Sequence, residues 1–256
     1  MNKLMAIAST HIHFVKKEYI KNPRLFSDFD MSQVYFGAVL ADIYFAKLFG
    51  EKKTSFGFRI HVGHFGMSLA KKLYSTAIDK NEASFALGFI SHIILDKYIH
   101  GYLFKHNLFD VGEHIVLELF LAAEVSPERN YLIIKKFPSH FFLGTIKKYY
   151  PNDYKKYKRE LRVNVLKLLL YKLSADVLVR YTLTSKYLPK SPEHNHFFDY
   201  ILKRCYQASF KPYKYKINDL IYPHQSLKEK HTHKMIKEYH KAEKEFHDFM
   251  KNQGKI

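Results

Sequence analysis

Two groups of histidine and acidic residues with helical spacing are the residues of this sequence best suited to metal chemistry. His92, Asp96 and His100 stand at i, i+4 and i+8, and His114 and Glu118 repeat the four-residue spacing further on. Four residues turn an α-helix by about 400°, so the first three side chains would form one stripe, with neighbours about 6 Å apart along the axis. Imidazole and carboxylate groups are zinc ligands, so this spacing predicts a metal site.

The same spacing limits how many of these ligands one ion can take. His92 and His100 would lie about 12 Å apart along the helix axis, too far for two imidazoles that each reach a metal at about 2.0–2.1 Å. If all three residues bind metal, at least two ions are needed, with Asp96 between them. From composition alone, the pattern His-x3-acid-x3-His is expected only roughly 0.09 times in a chain of this length. The alternative without metal is a buried hydrogen-bonded pair with one exposed histidine.

Further candidates lie upstream, and two of them come as close pairs. His11 and His13 open the first predicted helix, and His61 and His64 stand one turn apart, so either member of each pair could face a metal site. Asp42 sits in an apolar segment, where an ionised carboxylate needs a charge partner unless the helix turns it towards solvent.

Helices must position these residues, because apolar residues recur at three- and four-residue spacing along most of the chain. The predicted helices are 10–21, 31–49, 57–78, 82–104, 113–125, 158–187, 195–209 and 226–250. No segment shows a convincing strand alternation. We therefore predict an all-α fold, a multi-helix bundle over residues 1–150 with a basic helical extension over 151–256 packed on it.

Composition excludes several classes of protein. Hydrophobic residues make up 47% of the 256 residues, which excludes a disordered chain, and no apolar run reaches the length of a membrane span. The only cysteine is Cys205, so no intrachain disulfide is expected. A reducing cytoplasm is the predicted location.

The positive charge is concentrated in the second half of the chain. Of the net charge of +18, residues 129–256 contribute 28 Lys/Arg against 11 Asp/Glu. This asymmetry favours an anionic partner, either nucleic acid or an anionic membrane face, although a general bias of the sequence towards Lys, Ile, Tyr, Phe and Asn would also produce it. The final helix carries His231, His233, His240 and His247, which we interpret as members of a solvated amphipathic face.

The candidate ligands follow one another as a series over about residues 10–125. The series is His11, Gly37 with Asp42, His61, His92, Asp96, His100, His114 and Glu118. In this order it resembles the ligand series of the zinc-dependent phospholipase C family, which is related to fungal single-strand nucleases. The resemblance is strongest in residues 86–100. It implies an all-helical fold with a cluster of up to three zinc ions that hydrolyses phosphodiesters.

Carried over residue by residue, the resemblance implies three groups of ligands. His61, His92, Asp42 and Asp96 would surround one zinc ion, His100, His114 and Glu118 a second, and His11 with Asp96 would contribute to a third. Asp42 would also be the general base. Secreted members complete the third site with an N-terminal tryptophan, whereas this sequence has no Trp and ten residues before His11. Two zinc ions are therefore expected, with the third in question.

The predicted function is metal-dependent hydrolysis of a phosphodiester, as in phospholipase C, by a zinc-activated water. The substrate would be an anionic phosphodiester, with peripheral contact to an anionic membrane as a further expectation. Two alternatives stay open: a phosphodiesterase like the single-strand nucleases, and a non-catalytic metal-containing protein that binds nucleic acid or membrane.

Overall fold

The fold is built from α-helices. The computed structural model describes residues 8–41, 56–61, 64–108, 117–118, 120–122, 124–125, 138–155, 157–158 and 225–252. The α-helices are α1 (Ala8–Lys21), α2 (Met31–Leu40), α3 (Phe56–His61), α4 (His64–Thr76), α5 (Lys80–Lys105), α6 (Ser139–Tyr149) and α7 (Gln225–Asn252), with short 3-10 helices at Pro23–Phe26 and Pro151–Asp153. Residues 117–118, 120–122 and 124–125 are also helical, and none of the described residues forms a strand. The prediction of an all-α fold is confirmed.

Helix α5 is the central element, and both of its ends are defined by local hydrogen bonds. At its start the Glu82 amide, in the first turn, donates to Asp79 Oδ1 at 2.8 Å, and the Ile78 amide, just before the cap, donates to Glu82 Oε2 at 3.0 Å. At its end Asn107 has φ 55, and the Leu108 amide donates to the Leu103 carbonyl at 3.0 Å. That is the left-handed stop that asparagine tolerates. No described helix is long and apolar enough to cross a bilayer.

Helices α2 and α5 pack so closely that their backbones touch at two glycines. A Cβ added at Gly37 would lie 2.1 Å from the Phe85 carbonyl oxygen, and one added at Gly88 would lie 1.9 Å from the Val34 carbonyl oxygen. Both distances are far below any real carbon contact, so only glycine fits at either position. This close approach puts the C-terminal part of α2 directly beside the candidate ligands on α5.

The final helix α7 is amphipathic and completes the core on the other side of α5. Its buried face consists of Met235, Tyr239, Ala242, Phe246 and Met250. Rings from α1 and from the following turn pack on it, with the Phe14 and Tyr239 centroids 5.5 Å apart and those of Phe26 and Phe246 6.4 Å apart. Packing of this apolar face against α1 and α5 is what holds a helix that is otherwise rich in lysine.

The interpretation of the α7 histidines as one solvated face is wrong for His231 and His247. His231 is buried and its Nδ1 lies 2.8 Å from the Tyr102 hydroxyl. His247 is partly buried and its Nδ1 pairs with Glu18 of α1. The interpretation holds for His233 and His240, which are exposed. Helical spacing alone could not identify the two buried rings, because their partners lie on other helices, far away in the sequence.

The observed helices agree with most of the predicted ones in the described part of the chain. Predicted helix 57–78 is observed as two helices, Phe56–His61 and His64–Thr76, and predicted helix 31–49 is described only as far as its observed end at Leu40. Helix Ser139–Tyr149 was not predicted. Predicted helices 158–187 and 195–209 fall almost entirely outside the described residues. The division into residues 1–150 and 151–256 stays a prediction.

Candidate metal centre

The predicted stripe on α5 lies in the interior of the protein. His92 is 0% exposed, Asp96 1% and His100 6%. The alternative of one exposed histidine therefore does not describe this helix. Burying two imidazoles and a carboxylate costs several kcal/mol unless each finds a polar partner, so the surroundings of these three side chains decide what they do.

Asp96 is the centre of a cluster of imidazoles that come from three helices. The Nε2 atoms of His92 and His61 lie 3.1 and 3.3 Å from its Oδ2 atom. The Nε2 atom of His11, on α1, lies 3.5 Å from Oδ1, and the Nδ1 atom of His100 lies 3.9 Å from Oδ2. One carboxylate is thus surrounded by four ring nitrogens of residues that are up to 89 positions apart.

The orientation of His92 is fixed by a backbone carbonyl of α2. Its Nδ1 atom lies 2.7 Å from the carbonyl oxygen of Ala38. Because a carbonyl oxygen can only accept a hydrogen bond, Nδ1 carries a proton, so Nε2 is the nitrogen that presents a lone pair when the ring binds a metal. That lone pair faces Asp96 and the Nε2 atom of His61, which is 2.9 Å away. Metal-binding histidines are commonly held in this way, with the second nitrogen bonded to a carbonyl.

The polar atoms at the centre lack the hydrogen bonds that their burial requires. Among the described residues, both ring nitrogens of His11 and both carboxylate oxygens of Asp96 are buried without a hydrogen-bond partner. One nitrogen of His11, one of His92 and one oxygen of Asp96 all lie within 4.8 Å of one another. Lone pairs gathered in this way repel each other unless a cation lies among them, so the donor set fits a divalent metal ion such as zinc.

Electrostatics favour an ionised carboxylate at Asp96 and a neutral ring at His11. Burial opposes the ionisation of Asp96, but the positive charge that His100, His92 and His61 carry when protonated outweighs it and holds the pKa of the carboxyl well below its usual range. Burial, with the neighbouring ring of His92, lowers the pKa of His11 well below its ordinary value. An ionised carboxylate beside a neutral imidazole is the combination that coordinates zinc.

His100 extends the cluster to a second carboxylate. Its Nε2 atom lies 3.2 Å from Oε1 of Glu118, which is 1% exposed. Burial raises the pKa of Glu118 to about 8, despite the opposing effect of the His100 ring. One nitrogen of His100 therefore faces Asp96 and the other faces Glu118. This agrees with the helix spacing, which places Asp96 between His92 and His100. The number of ions that this arrangement holds stays a prediction.

The sequence left open whether His11 or His13, and whether His61 or His64, faces the metal site, and the two members of each pair differ in burial. His11 is 1% exposed and contacts Asp96, whereas His13 is only partly buried. His61 is 7% exposed and contacts Asp96, whereas His64 is exposed to solvent. The geometry thus favours His11 and His61 as ligands. Two further predicted residues, Asp42 and His114, lie outside the described residues.

A cavity of about 690 Å³ leads from the surface to the cluster. His61, Asp96 and His100 line its inner end. The lining also includes Met67, Lys71, Lys97, Phe104, Glu245, Asp248, Phe249 and Asn252, from α4, α5 and α7. The cavity thus connects the protein surface with the side of the cluster formed by these three residues.

Two features of the centre could not be found from motif spacing. The Ala38 carbonyl is a backbone group, so no residue type marks it. The wall that α7 contributes through Glu245, Asp248 and Asn252 is more than 140 positions away in the sequence from Phe104, which lines the same cavity. In the sequence, the sole hint of this wall is the presence of acidic residues within a helix that is otherwise basic.

An all-helical fold with buried imidazoles around a carboxylate defines a class of metal-dependent proteins. Within that class, the family model described as zinc dependent phospholipase C matches residues 10–150, more than half of this chain. The chain belongs to the zinc-dependent phospholipase C family. Membership supports a zinc-dependent hydrolase and implies a phospholipid substrate. Neither a curated protein nor a solved structure gives a significant match.

Proposed function

We propose that this protein hydrolyses the phosphodiester bond of a phospholipid head group at a zinc centre built around Asp96. The observation that carries the proposal is the group of His11, His92 and Asp96, whose ligand atoms lie within 4.8 Å of one another in the interior. The nearby His61 and His100 rings, with Glu118 beyond, extend the donor set to the two ions expected from the helix spacing.

Each side chain has a definite task in this mechanism. His92 is oriented by the Ala38 carbonyl so that its Nε2 lone pair faces inward. Asp96 stays ionised and lies between the His92 and His100 sides of the cluster. When bound, zinc lowers the pKa of water towards about 7 and polarises phosphoryl oxygens. Asp42 is the proposed general base, as the family resemblance implies.

Removing one buried ligand tests the proposal. His92→Ala, purified without a nickel column, should lose zinc and the hydrolysis of a chromogenic phosphodiester together, because Nε2 of His92 faces both Asp96 and His61. His140→Ala removes an exposed imidazole of α6 and is the matched control. Full zinc content and full turnover in His92→Ala would refute the mechanism.

The same preparations separate the remaining alternatives. Hydrolysis of phosphatidylcholine by the wild-type chain supports the phospholipase assignment, whereas cleavage of single-stranded DNA in its place supports the nuclease alternative. Bound zinc with turnover of neither substrate would indicate a non-catalytic protein with closed coordination. The expected cytoplasmic location stays a prediction, which fractionation of the source cells can test.

A further inference from the structure

We propose that the outer face of α7 is a docking surface for a membrane rich in anionic phospholipid, and this inference rests on the proposed phospholipase function. The surface, which we call the lysine stripe, consists of Lys230, Lys234, Lys237, Lys241, Lys244 and Lys251. All six side chains are exposed. Their spacing of three, four and seven residues places them on one side of the helix.

The lysine stripe lies opposite the face by which α7 is anchored. At 100° per residue, the stripe positions point about 120–180° away from Tyr239 and Phe246, which are 0% exposed. From Lys230 to Lys251 the stripe extends about 32 Å along one continuous helix. A row of cations of this length on a helix packed into the core matches an extended anionic surface.

The residues that the structure describes neutralise little of this charge. Lys241 pairs with Glu238 at 2.7 Å. The other five stripe lysines make no ion pair with the residues that the structure describes. By contrast, the acidic residues Glu243 and Glu245 of the same helix are bound by lysines of α1 and α5. Lysines of other helices thus pair with Glu243 and Glu245, whereas the described residues offer no carboxylate to five of the six stripe lysines.

The stripe leads to the mouth of the cavity that contains the metal centre. Asp248 lies in the register of the stripe, between Lys244 and Lys251, and also lines the cavity. Phe104 lines the same cavity and is 44% exposed. A membrane held by the stripe would therefore meet the cavity mouth, with an aromatic side chain available for the apolar part of the lipid.

A membrane fits this surface better than a nucleic acid does. Proteins that bind single strands interleave aromatic stacking platforms with their basic residues, and none of the exposed residues between Lys230 and Lys251 is a phenylalanine or tyrosine. The stripe also lies outside the family match to residues 10–150. It is therefore a property of this chain rather than of the matched region.

The test compares two triple variants of the full chain in a vesicle sedimentation assay. Lys234→Gln/Lys237→Gln/Lys244→Gln removes three stripe lysines, and the control Lys80→Gln/Lys148→Gln/Lys155→Gln removes three exposed lysines elsewhere. Each changes the net charge by the same amount. Vesicles of phosphatidylcholine are used alone and with roughly one-third phosphatidylglycerol, a lipid that supplies the anionic surface potential.

We expect the wild type and the control to bind the anionic vesicles and not the neutral ones. The stripe variant should bind about 100-fold more weakly, because each lysine near an anionic surface contributes about a fivefold factor. Equal binding of the two triple variants, or equal binding of both kinds of vesicle, would overturn the proposal. The proposal would also be overturned if the wild type bound a single-stranded oligonucleotide more tightly than anionic vesicles and the stripe variant lost that oligonucleotide binding.

A separate readout distinguishes this proposal from the enzymatic one. Turnover of a soluble chromogenic phosphodiester by the wild type reports on the metal centre without a membrane. If turnover is absent while the stripe variant alone loses vesicle binding, the enzymatic proposal fails and membrane docking stands. If turnover is present while both triple variants bind vesicles equally, docking fails and the enzymatic proposal stands.

Discussion

Replacing Asp96 with asparagine should remove most of the stabilisation that zinc gives to this protein. The substitution keeps the shape of the side chain and removes its charge, at a point where four ring nitrogens lie within 3.9 Å of the carboxylate. Asp96 is also the only carboxylate in the described group of atoms that can share one ion. Its loss leaves neutral imidazoles alone to bind a divalent cation.

The size of the effect follows from ligand linkage. Changes to residues that merely support metal ligands cost about 10- to 100-fold in affinity, so loss of a direct anionic ligand should cost at least about 100-fold. Zinc at about 100 times its dissociation constant stabilises the wild type by about 2.7 kcal/mol, whereas the same concentration would stabilise Asp96→Asn by only about 0.4 kcal/mol. For a chain of this length the difference corresponds to about 5–9 °C in melting temperature.

The assay is thermal unfolding of each variant with zinc and with a chelator. The zinc-dependent increment is taken within each variant, so that any change in the stability of the metal-free fold cancels. Asp28→Asn, which removes an exposed carboxylate, is the control and should keep the full increment. An increment in Asp96→Asn equal to that of the wild type would show that zinc does not bind around this carboxylate.

Three further predictions concern the pH dependence of stability, the packing of α2 on α5, and the hydrogen bond that joins α7 to α5. Because burial raises the pKa of Glu118 from 4.5 to about 8, only the unfolded chain ionises this group between those pH values. As pH rises through this range, the metal-free wild type should therefore lose unfolding free energy relative to metal-free Glu118→Gln. Urea unfolding midpoints of the two proteins measure this, and a difference between them that does not change with pH would refute the prediction. Gly88→Ala should lower the free energy of unfolding by about 3 kcal/mol, because the added Cβ clashes with the α2 backbone. Gly101→Ala is the control and should raise it slightly, since no atom lies within 4 Å of the added Cβ. Denaturant unfolding that ranks the two variants the other way would contradict the packing. Tyr102→Phe should cost about 1 kcal/mol in the same assay, since it removes the partner of buried His231, and no loss would argue against that bond.

Apolar spacing predicted the helices best where its pattern was long. Helix α5, predicted as 82–104 from that spacing, is observed as Lys80–Lys105. Helix α6 was missed although Phe142 and Ile146 are buried one turn apart and Pro151 follows its end. Its short apolar pattern lies in a segment rich in lysine and aromatic residues, where the periodicity is weak.

The metal centre was predictable to the extent that one helix builds it. The spacing of His92, Asp96 and His100 determines their common face, and the structure places all three in the interior. Spacing could not decide between His61 and His64, because the choice depends on how α3 and α4 turn towards α5. Nor could it find the Tyr102–His231 contact, whose members are 129 positions apart.

The close packing of α2 and α5 connects the fold to the chemistry of the centre. Gly37 and Gly88 bring the two backbones together, and the next residue after Gly37 is Ala38, whose carbonyl oxygen lies 2.7 Å from His92 Nδ1. A larger residue at either glycine would separate the helices and take that carbonyl away from the ring. His92 would then be free to turn its proton towards Asp96, and the lone pair needed for a metal would be lost. Helix packing therefore selects the tautomer of this candidate ligand.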